Sequence, residues 1–279
     1  ETDPGNPWRY KFTWNPRNVV TAGQGVARYV SEGINKYIPY HQLFRRTTPI
    51  HVPGVGDFEG YANRDSLQYR TAYKLHTIGT LIRGTLRHQG FCSAWDVFVQ
   101  LGCCDDSYAM EQVERMTHQS FISAFLPKRN TSAKERLMSY LGLNPDSHAL
   151  KCLEWSGLFE DEPVGLTEGT PARILEHILN KRWRLNPEDN DMIVMWHRFG
   201  YPEGKETRYI QSYLVVKGSR SPGTAMAQTV GLPLGIAARL LLNDKIKTRG
   251  VAIPVAREFY EPMLKELEEH GIRMEETTT

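Results

Sequence analysis

The sequence predicts an α+β fold in which an all-helical block is inserted between strands of one sheet domain. Three observations predict it. Short strand-like segments separated by Gly and Pro fill residues 1–90, helical periodicity runs from Phe91 to about Leu185, and strands return before two closing helices.

Tyr10-Lys11-Phe12-Thr13-Trp14 alternates aromatic and polar side chains, as a half-buried strand should. Ile50-His51-Val52 and Thr85-Leu86-Arg87-His88 have the same character, and Pro53-Gly54-Val55-Gly56 reads as a turn. In the helical block, Trp95, Phe98, Val99 and Leu101 form an apolar face that Gly102 can end. Thr170-Pro171 is a helix start, a hydroxyl N-cap followed by proline at the first helical position, with Ile174, Leu175, Ile178 and Leu179 behind it. Asn186-Pro187-Glu188-Asp189-Asn190 breaks the pattern. Met192–Phe199 and Arg208–Val216 then read as two strands joined at Tyr201-Pro202-Glu203-Gly204. Ala225–Leu242 predicts a helix kinked at Pro233, and Glu258–His270 a last helix closed by Gly271. The expected division is a sheet domain at 1–90 and 191–224, a helical insertion at 91–190, and C-terminal helices at 225–279.

Length and composition set outer bounds. A chain of 279 residues, 40% hydrophobic and 24% charged, suits one or two globular domains. It opens Glu1-Thr2-Asp3-Pro4 without an initiator Met, which suits a piece of a longer protein, and no signal peptide is read there. The apolar stretch Val230–Leu242 carries Pro233 and Arg239 and falls short of the ~20 residues of a bilayer span, so no membrane partner is expected. A net charge of +2, from 34 basic and 32 acidic residues, points away from nucleic acid, and the Arg45-Arg46 pair reads as a solvated surface feature. The four cysteines contain no Cys-x-x-Cys pair and read as reduced thiols of a cytoplasmic protein. Asn130-Thr131-Ser132 fits a glycosylation sequon, a triplet common by chance.

Motifs for chemistry are sparse. The nine histidines include no pair at i, i+4, and no metal is expected. There is no Gly-x-Ser-x-Gly elbow. Gly54-Val55-Gly56 followed by Gly60 is one residue too long for a dinucleotide fingerprint, and Gly23-Gln24-Gly25 lacks the third glycine. No strand–glycine turn–helix unit is therefore read, and a nucleotide-binding Rossmann domain is absent from the sequence. What remains is a set of cations in strand-like segments, Arg64, Arg83 and Arg87, the last two at positions that share a face of a strand. A guanidinium can hold a carboxylate through two parallel hydrogen bonds, so an anion site is permitted. Pairing of each arginine with a surface acid is the commoner use of such residues.

The same segments resemble the saccharopine dehydrogenase family, above all its glutamate-forming reductases and the matching half of animal bifunctional lysine-degrading enzymes. The family's Asn-Pro-x-x-Tyr-Lys-Phe-Ser-Trp is matched by Asn6-Pro7-Trp8-Arg9-Tyr10-Lys11-Phe12-Thr13-Trp14. Its Tyr-Pro-Asn-Arg-Asp-Ser is matched by Tyr61–Ser66 with Ala62 for proline, and its Arg-Gly-Thr-Leu-Arg-Tyr-x-Gly by Arg83–Gly90 with His88 for tyrosine. Ala225-Met226-Ala227, Val230-Gly231-Leu232-Pro233 and Glu261-Pro262-Met263-Leu264 follow in order, so the resemblance covers essentially the whole chain. Family members begin with a Rossmann-like domain, and this chain starts downstream of it.

The resemblance implies the substrate-binding portion of an NAD(P)-dependent oxidoreductase that interconverts saccharopine with glutamate and aminoadipate semialdehyde. It implies saccharopine contacts from Arg64, Thr85, Leu86 and Arg87, with Trp14 lining the cleft near the cofactor. NADP or NAD would be bound mainly by the missing domain, leaving the chain alone inactive. It further implies one large mixed sheet that supports a homodimer, and C-terminal helices that pack toward the Rossmann domain and so expose an apolar face here. No general acid or base is singled out; Lys11 is a candidate only through its place in the motif, and catalytic residues stay unknown. Two other readings remain open, a non-catalytic dimerisation or binding module and a related polyamine-forming (carboxynorspermidine-type) reductase whose ligand carries fewer carboxylates.

Overall fold

A computed structural model describes residues 5–220 and 222–278. They divide after Leu185 into two units.

In the first unit, the Asn15 side chain accepts from the Arg17 amide and Pro16 occupies the first turn, which starts α1 (Pro16–Val20). That start cuts off the predicted strand at Tyr10–Trp14. The segment makes one parallel bridge, Phe12 to Arg184, through a 2.7 Å bond from the Phe12 amide to the Trp183 carbonyl. Its alternation buries Phe12 rather than building a ladder. β1 (Val26–Ser31) and β2 (Ile34–Pro39) form an antiparallel hairpin, followed by α2 (Tyr40–Leu43). Glu32 and Gly33 at its tip both have positive φ, 52° and 77°. Such turns favour Asn or Asp before Gly, and a Glu there hides the hairpin from sequence reading.

β3 (Thr48–Val52), β4 (Gly56–Ala62) and β5 (Gly84–His88) make a second antiparallel sheet in that order. The predicted turn at Pro53–Gly56 joins β3 to β4, and α3 (Tyr69–Ala72) lies between β4 and β5. Among the described residues the strands form three antiparallel sheets, and the expected single mixed sheet is not seen. The backbone at Arg64 supplies one physical reason. Its φ of 54° turns the chain out of the extended conformation just past β4, so β1 meets this region only through isolated bridges, Arg28 to Asp65 and Val30 to Leu81.

The predicted helices follow. α4 (Phe91–Leu101) ends at Gly102, whose φ of 83° suits the residue after a helix. α5 (His118–Ser123), α6 (Ala133–Leu141), α7 (His148–Trp155) and α8 (Pro171–Trp183) start at Thr117, Ser132, Ser147 and Thr170, each accepting an amide of the first turn. Helices and opening strands share one core, to which Ala27, Ile38 and Tyr61 contribute beside Phe98, Leu153 and Ile178. At its centre Trp8 packs on Trp183 at 5.0 Å and on Phe91 at 5.3 Å, and its indole N–H donates to the Cys152 carbonyl and the Ser156 hydroxyl, both at 2.9 Å. All four cysteines are buried and free.

In the second unit, β6 (Met192–Glu203) and β7 (Glu206–Lys217) form a long hairpin. α9 (Ala225–Leu242), α10 (Arg257–Glu269) and β8 (Glu275–Thr278) follow, and β8 pairs with β7 on the side away from β6. Asp191 anchors α9, accepting from the Ala225 and Met226 amides at 2.6 and 2.9 Å. The core joins Leu214 and Val216 of β7 to Ile236 and Leu240 of α9 and Leu267 of α10. The opposite side of α9 is bare, with Leu234 71% and Leu242 87% exposed. Starting at Ala225, this helix has 18 residues and is apolar enough to cross a membrane by length and composition, which the shorter stretch read from sequence is not. It carries Pro233 inside, and its Arg239 pairs with Glu266 of α10.

Candidate functional site

Register in the second sheet decides which side chains meet. Glu59 lies opposite Arg87 and Tyr61 opposite Thr85, which puts these four on one face. Gly60 opposite Leu86, and Phe58 opposite His88, make the other face. β4 and β5 approach closely at Gly84, where a Cβ would stand 2.8 Å from the Tyr61 carbonyl oxygen.

Arg87 lies over two rings, 4.9 Å from the centre of Tyr10 and 5.1 Å from that of Phe91. Its Nε is buried without a hydrogen-bond partner, and one terminal nitrogen reaches the Leu86 carbonyl at a long 3.4 Å. No carboxylate pairs with it among the described residues. The facing phenols do not supply the missing charge, because burial holds both Tyr10 and Tyr61 above the usual tyrosine range, against the opposing pull of Arg87. An arginine stays ionised at any working pH, so this half-buried cation, its Nε shut off from water without a partner, has an unmet need for an anion.

The turn at 63–66 is tied to the start of β5. Asn63 donates to the Thr85 hydroxyl at 3.1 Å and its amide to the Arg83 carbonyl at 2.8 Å, while the Arg83 amide donates to the Ser66 hydroxyl at 2.9 Å. Arg64 sits at the turn in a left-handed conformation that costs a long side chain of order 1 kcal/mol. Its side chain is exposed and has no carboxylate partner among the described residues, since neighbouring Asp65 pairs with Arg28.

The structure therefore gathers Thr85 and Arg87 on one face and sets the Arg64 turn beside it. Trp14 is half exposed and lies four residues after Tyr10, whose ring is one of the two that Arg87 covers. Leu86 points its side chain to the opposite face, where it and Ile50 lie over Gly60, so only its backbone belongs to the site. Arg83 precedes β5 and lies over Tyr69 at 5.3 Å, and it does not share the rings that hold Arg87. Lys11 is half-buried. Tyr10, Tyr61 and Phe91 were missed by sequence reasoning. The two tyrosines stand inside the family-like segments 6–14 and 61–66, but nothing local says that they converge on Arg87.

His88 behind the site has a consequence for pH. It stacks on Phe58 at 4.9 Å, and burial, then Arg9, pushes its pKa down to about 4. An unfolded histidine titrates near ~6.5, so the folded state disfavours the proton. The stability this contributes is present above that pH and is lost as pH falls toward 4. Allowing for solvent screening, the loss expected from pH 7 to 4 is on the order of 1–2 kcal/mol. Urea titrations at both values check it. His88→Tyr should remove that part of the acid sensitivity, and an identical pH dependence in the variant would refute the assignment.

His118, Glu160 and Glu162 bring one ligand atom each to within 4.8 Å of the others. Lys181 already bonds Glu162 at 2.8 Å and the His118 Nε2 at 3.1 Å, and Arg182 pairs with Glu160 at 2.6 Å. Both carboxylates are thus neutralised by side chains, and the group reads as an ion-pair cluster.

A family model of the saccharopine dehydrogenase C-terminal domain matches residues 1–272. The chain is 35% identical over 277 residues to the mitochondrial alpha-aminoadipic semialdehyde synthase of Rattus norvegicus, covering 96% of this chain and 30% of that protein. It is 30% identical over 292 residues to the NADP(+), L-glutamate-forming saccharopine dehydrogenase of Saccharomyces cerevisiae, covering 99% of this chain and 64% of that one. The structure of an apo histidine-tagged saccharopine dehydrogenase (L-Glu forming) from S. cerevisiae superposes with a TM-score of 0.86 at 28% identity, over 100% of this chain and 65% of the other. The chain thus spans less than two thirds of the length of each of these relatives.

Proposed function

The chain belongs to the saccharopine dehydrogenase family, and from that premise we propose that it is the substrate-binding portion of an enzyme interconverting saccharopine with glutamate and aminoadipate semialdehyde. The observation that carries this reading is Arg87, a half-buried cation whose Nε is sealed off without a partner and which meets no carboxylate among the described residues, with Arg64, likewise without a carboxylate, on the turn that Asn63 ties to Thr85. Saccharopine is a secondary amine bearing three carboxylates, and its recognition calls for several positioned cations on a rigid scaffold. Oxidation moves a hydride from the carbon next to the nitrogen, on the lysine-derived chain, to the oxidised nicotinamide and leaves an imine. Water adds to that carbon and the C–N bond breaks, releasing glutamate and the semialdehyde. In this reaction Arg64, Thr85, Arg87 and the Leu86 backbone bind carboxylates, and the half-exposed Trp14 lines the cleft toward the cofactor.

The hydride carrier, NADP or NAD, is held mainly by a Rossmann domain outside this chain, and the yeast relatives, named as NADP(+)-dependent, support the phosphorylated form. That domain covers the bare apolar side of α9. Among the described residues β6 is a sheet edge without a neighbour, which supports a homodimer. Four buried free thiols suit a reducing compartment, the cytoplasm or the mitochondrial interior.

Calorimetric titration with saccharopine tests the reading. Arg64→Ala and Arg87→Ala are each expected to weaken binding by ~1–3 kcal/mol, the range for hydrogen bonds to charged groups. Binding unchanged in both variants would sink the carboxylate assignment. Turnover restored by a nucleotide-binding domain supplied in trans, and absent without it, is the expected result for activity. Failure at any ratio of the two would remove the enzymatic reading.

A further inference from the structure

We propose that Tyr61 is a positioning residue that aims the Arg87 guanidinium at the substrate carboxylate, an assignment that rests on the reading of Arg87 above. A guanidinium is planar. Here rings of Tyr10 and Phe91 lie under it, at 4.9 and 5.1 Å, and restrict its tilt but leave its in-plane orientation open. That orientation must be set at the edges. The Nε edge has no partner, and the bond to the Leu86 carbonyl is long at 3.4 Å.

Tyr61 supplies the edge partner. Its position on β4 is directly opposite Thr85 and on the same sheet face as Arg87, which brings its phenol end within electrostatic reach of the guanidinium. A guanidinium only donates, so the phenol oxygen accepts in that pair. Thr85 is fixed in turn by Asn63 at 3.1 Å, and the Tyr61 ring is fixed by Phe44, with centroids 4.8 Å apart. Asn63, Thr85 and Tyr61 thus pass the geometry of the β4–β5 backbone on to the cation, as a supporting shell does for a binding group.

The clamp is neutral, and that matters for a ligand. Glu59 is the acid opposite Arg87 in register, yet its carboxylate accepts the Cys92 amide at 2.5 Å. An acid in place of Tyr61 would pair with Arg87 and compete with the substrate. A buried phenol orients the cation and leaves its charge available.

Tyr61→Phe keeps the ring and its packing on Phe44 and removes the hydroxyl alone. Two readouts on this chain separate positioning from general structure: the Arg87 Nε–H resonance in nitrogen NMR of the unliganded protein, and the Kd for saccharopine. The expected result is faster exchange or broadening of that resonance and a Kd raised roughly five- to tenfold, as for loss of one hydrogen bond, with melting nearly unchanged. An unchanged resonance overturns the inference whatever happens to binding. Loss of binding in Arg87→Ala with an unaltered Kd in Tyr61→Phe overturns it too and leaves the substrate reading standing. A parent chain that shows the ordered resonance, perturbed in Tyr61→Phe, but binds no saccharopine defeats the substrate reading and upholds the hold of Tyr61 on Arg87.

Discussion

Trp8→Ala is expected to lower the unfolding free energy of the first unit by about 3–5 kcal/mol, the range for deleting a buried large aromatic. Trp8 is 1% exposed and touches Phe91, Trp95, Phe98 and Trp183, so its removal leaves a void bounded by rigid rings that cannot close over it. The indole N–H is lost as well, although Ser156 also donates to the Cys152 carbonyl and keeps that oxygen partly satisfied. Trp8→Phe should therefore cost less, about 1–3 kcal/mol, since most of the ring volume returns without the donor. Urea unfolding followed by near-ultraviolet circular dichroism measures both. A shift under 1 kcal/mol for Trp8→Ala would show that this centre is looser than its geometry implies. Arg87 rests on the Tyr10 and Phe91 rings of the same cluster, so a loss of saccharopine binding in Trp8→Ala is an expected side effect.

Asp191→Ala is expected to cost the second unit ~2–4 kcal/mol, because its carboxylate is 5% exposed and makes two charge-assisted bonds to the first amides of α9. A negative charge at a helix N-terminus also gains from the helix dipole. Thr224 bonds only the Ala227 amide and cannot take over the other two. Asp191→Asn keeps an acceptor without the charge and should recover about half of the loss. Hydrogen exchange of the α9 amides reports the change where it arises. Protection unaltered in Asp191→Ala would mean that α9 is held by its apolar face alone.

The sequence announces those parts of the fold that local chemistry dictates. Thr170-Pro171 and Gly102 mark helix ends by backbone rules that hold wherever they occur, and both ends stand where expected. The hairpin at Glu32-Gly33 escapes because Glu gives no turn signal, and the Tyr10–Trp14 segment misleads because alternation also serves a coil lying on a core. The site shows the same limit. Arg64, Thr85 and Arg87 could be singled out through their motifs, and their register could not. Tyr10 and Tyr61 are far apart in sequence, and only the fold brings both to one guanidinium, so no window of residues could have shown the clamp.

The β7 strand carries a consequence for the order in which the second unit assembles. Its pairing with β6 closes on a tight turn, whereas its pairing with β8 must wait for the whole of α9 and α10 to be placed. Closing a loop costs more entropy as it lengthens, so the local hairpin forms first and β8 docks late. Until then β7 is open on the side away from β6, and among the described residues β6 keeps one edge without a neighbour afterwards, with Met195 and Phe199 exposed along it. The hazard is kinetic: a half-finished sheet is a template for another chain. Charged residues Arg198, Glu203, Glu206 and Arg208 cluster toward the hairpin tip, where they oppose such stacking while the slower strand arrives.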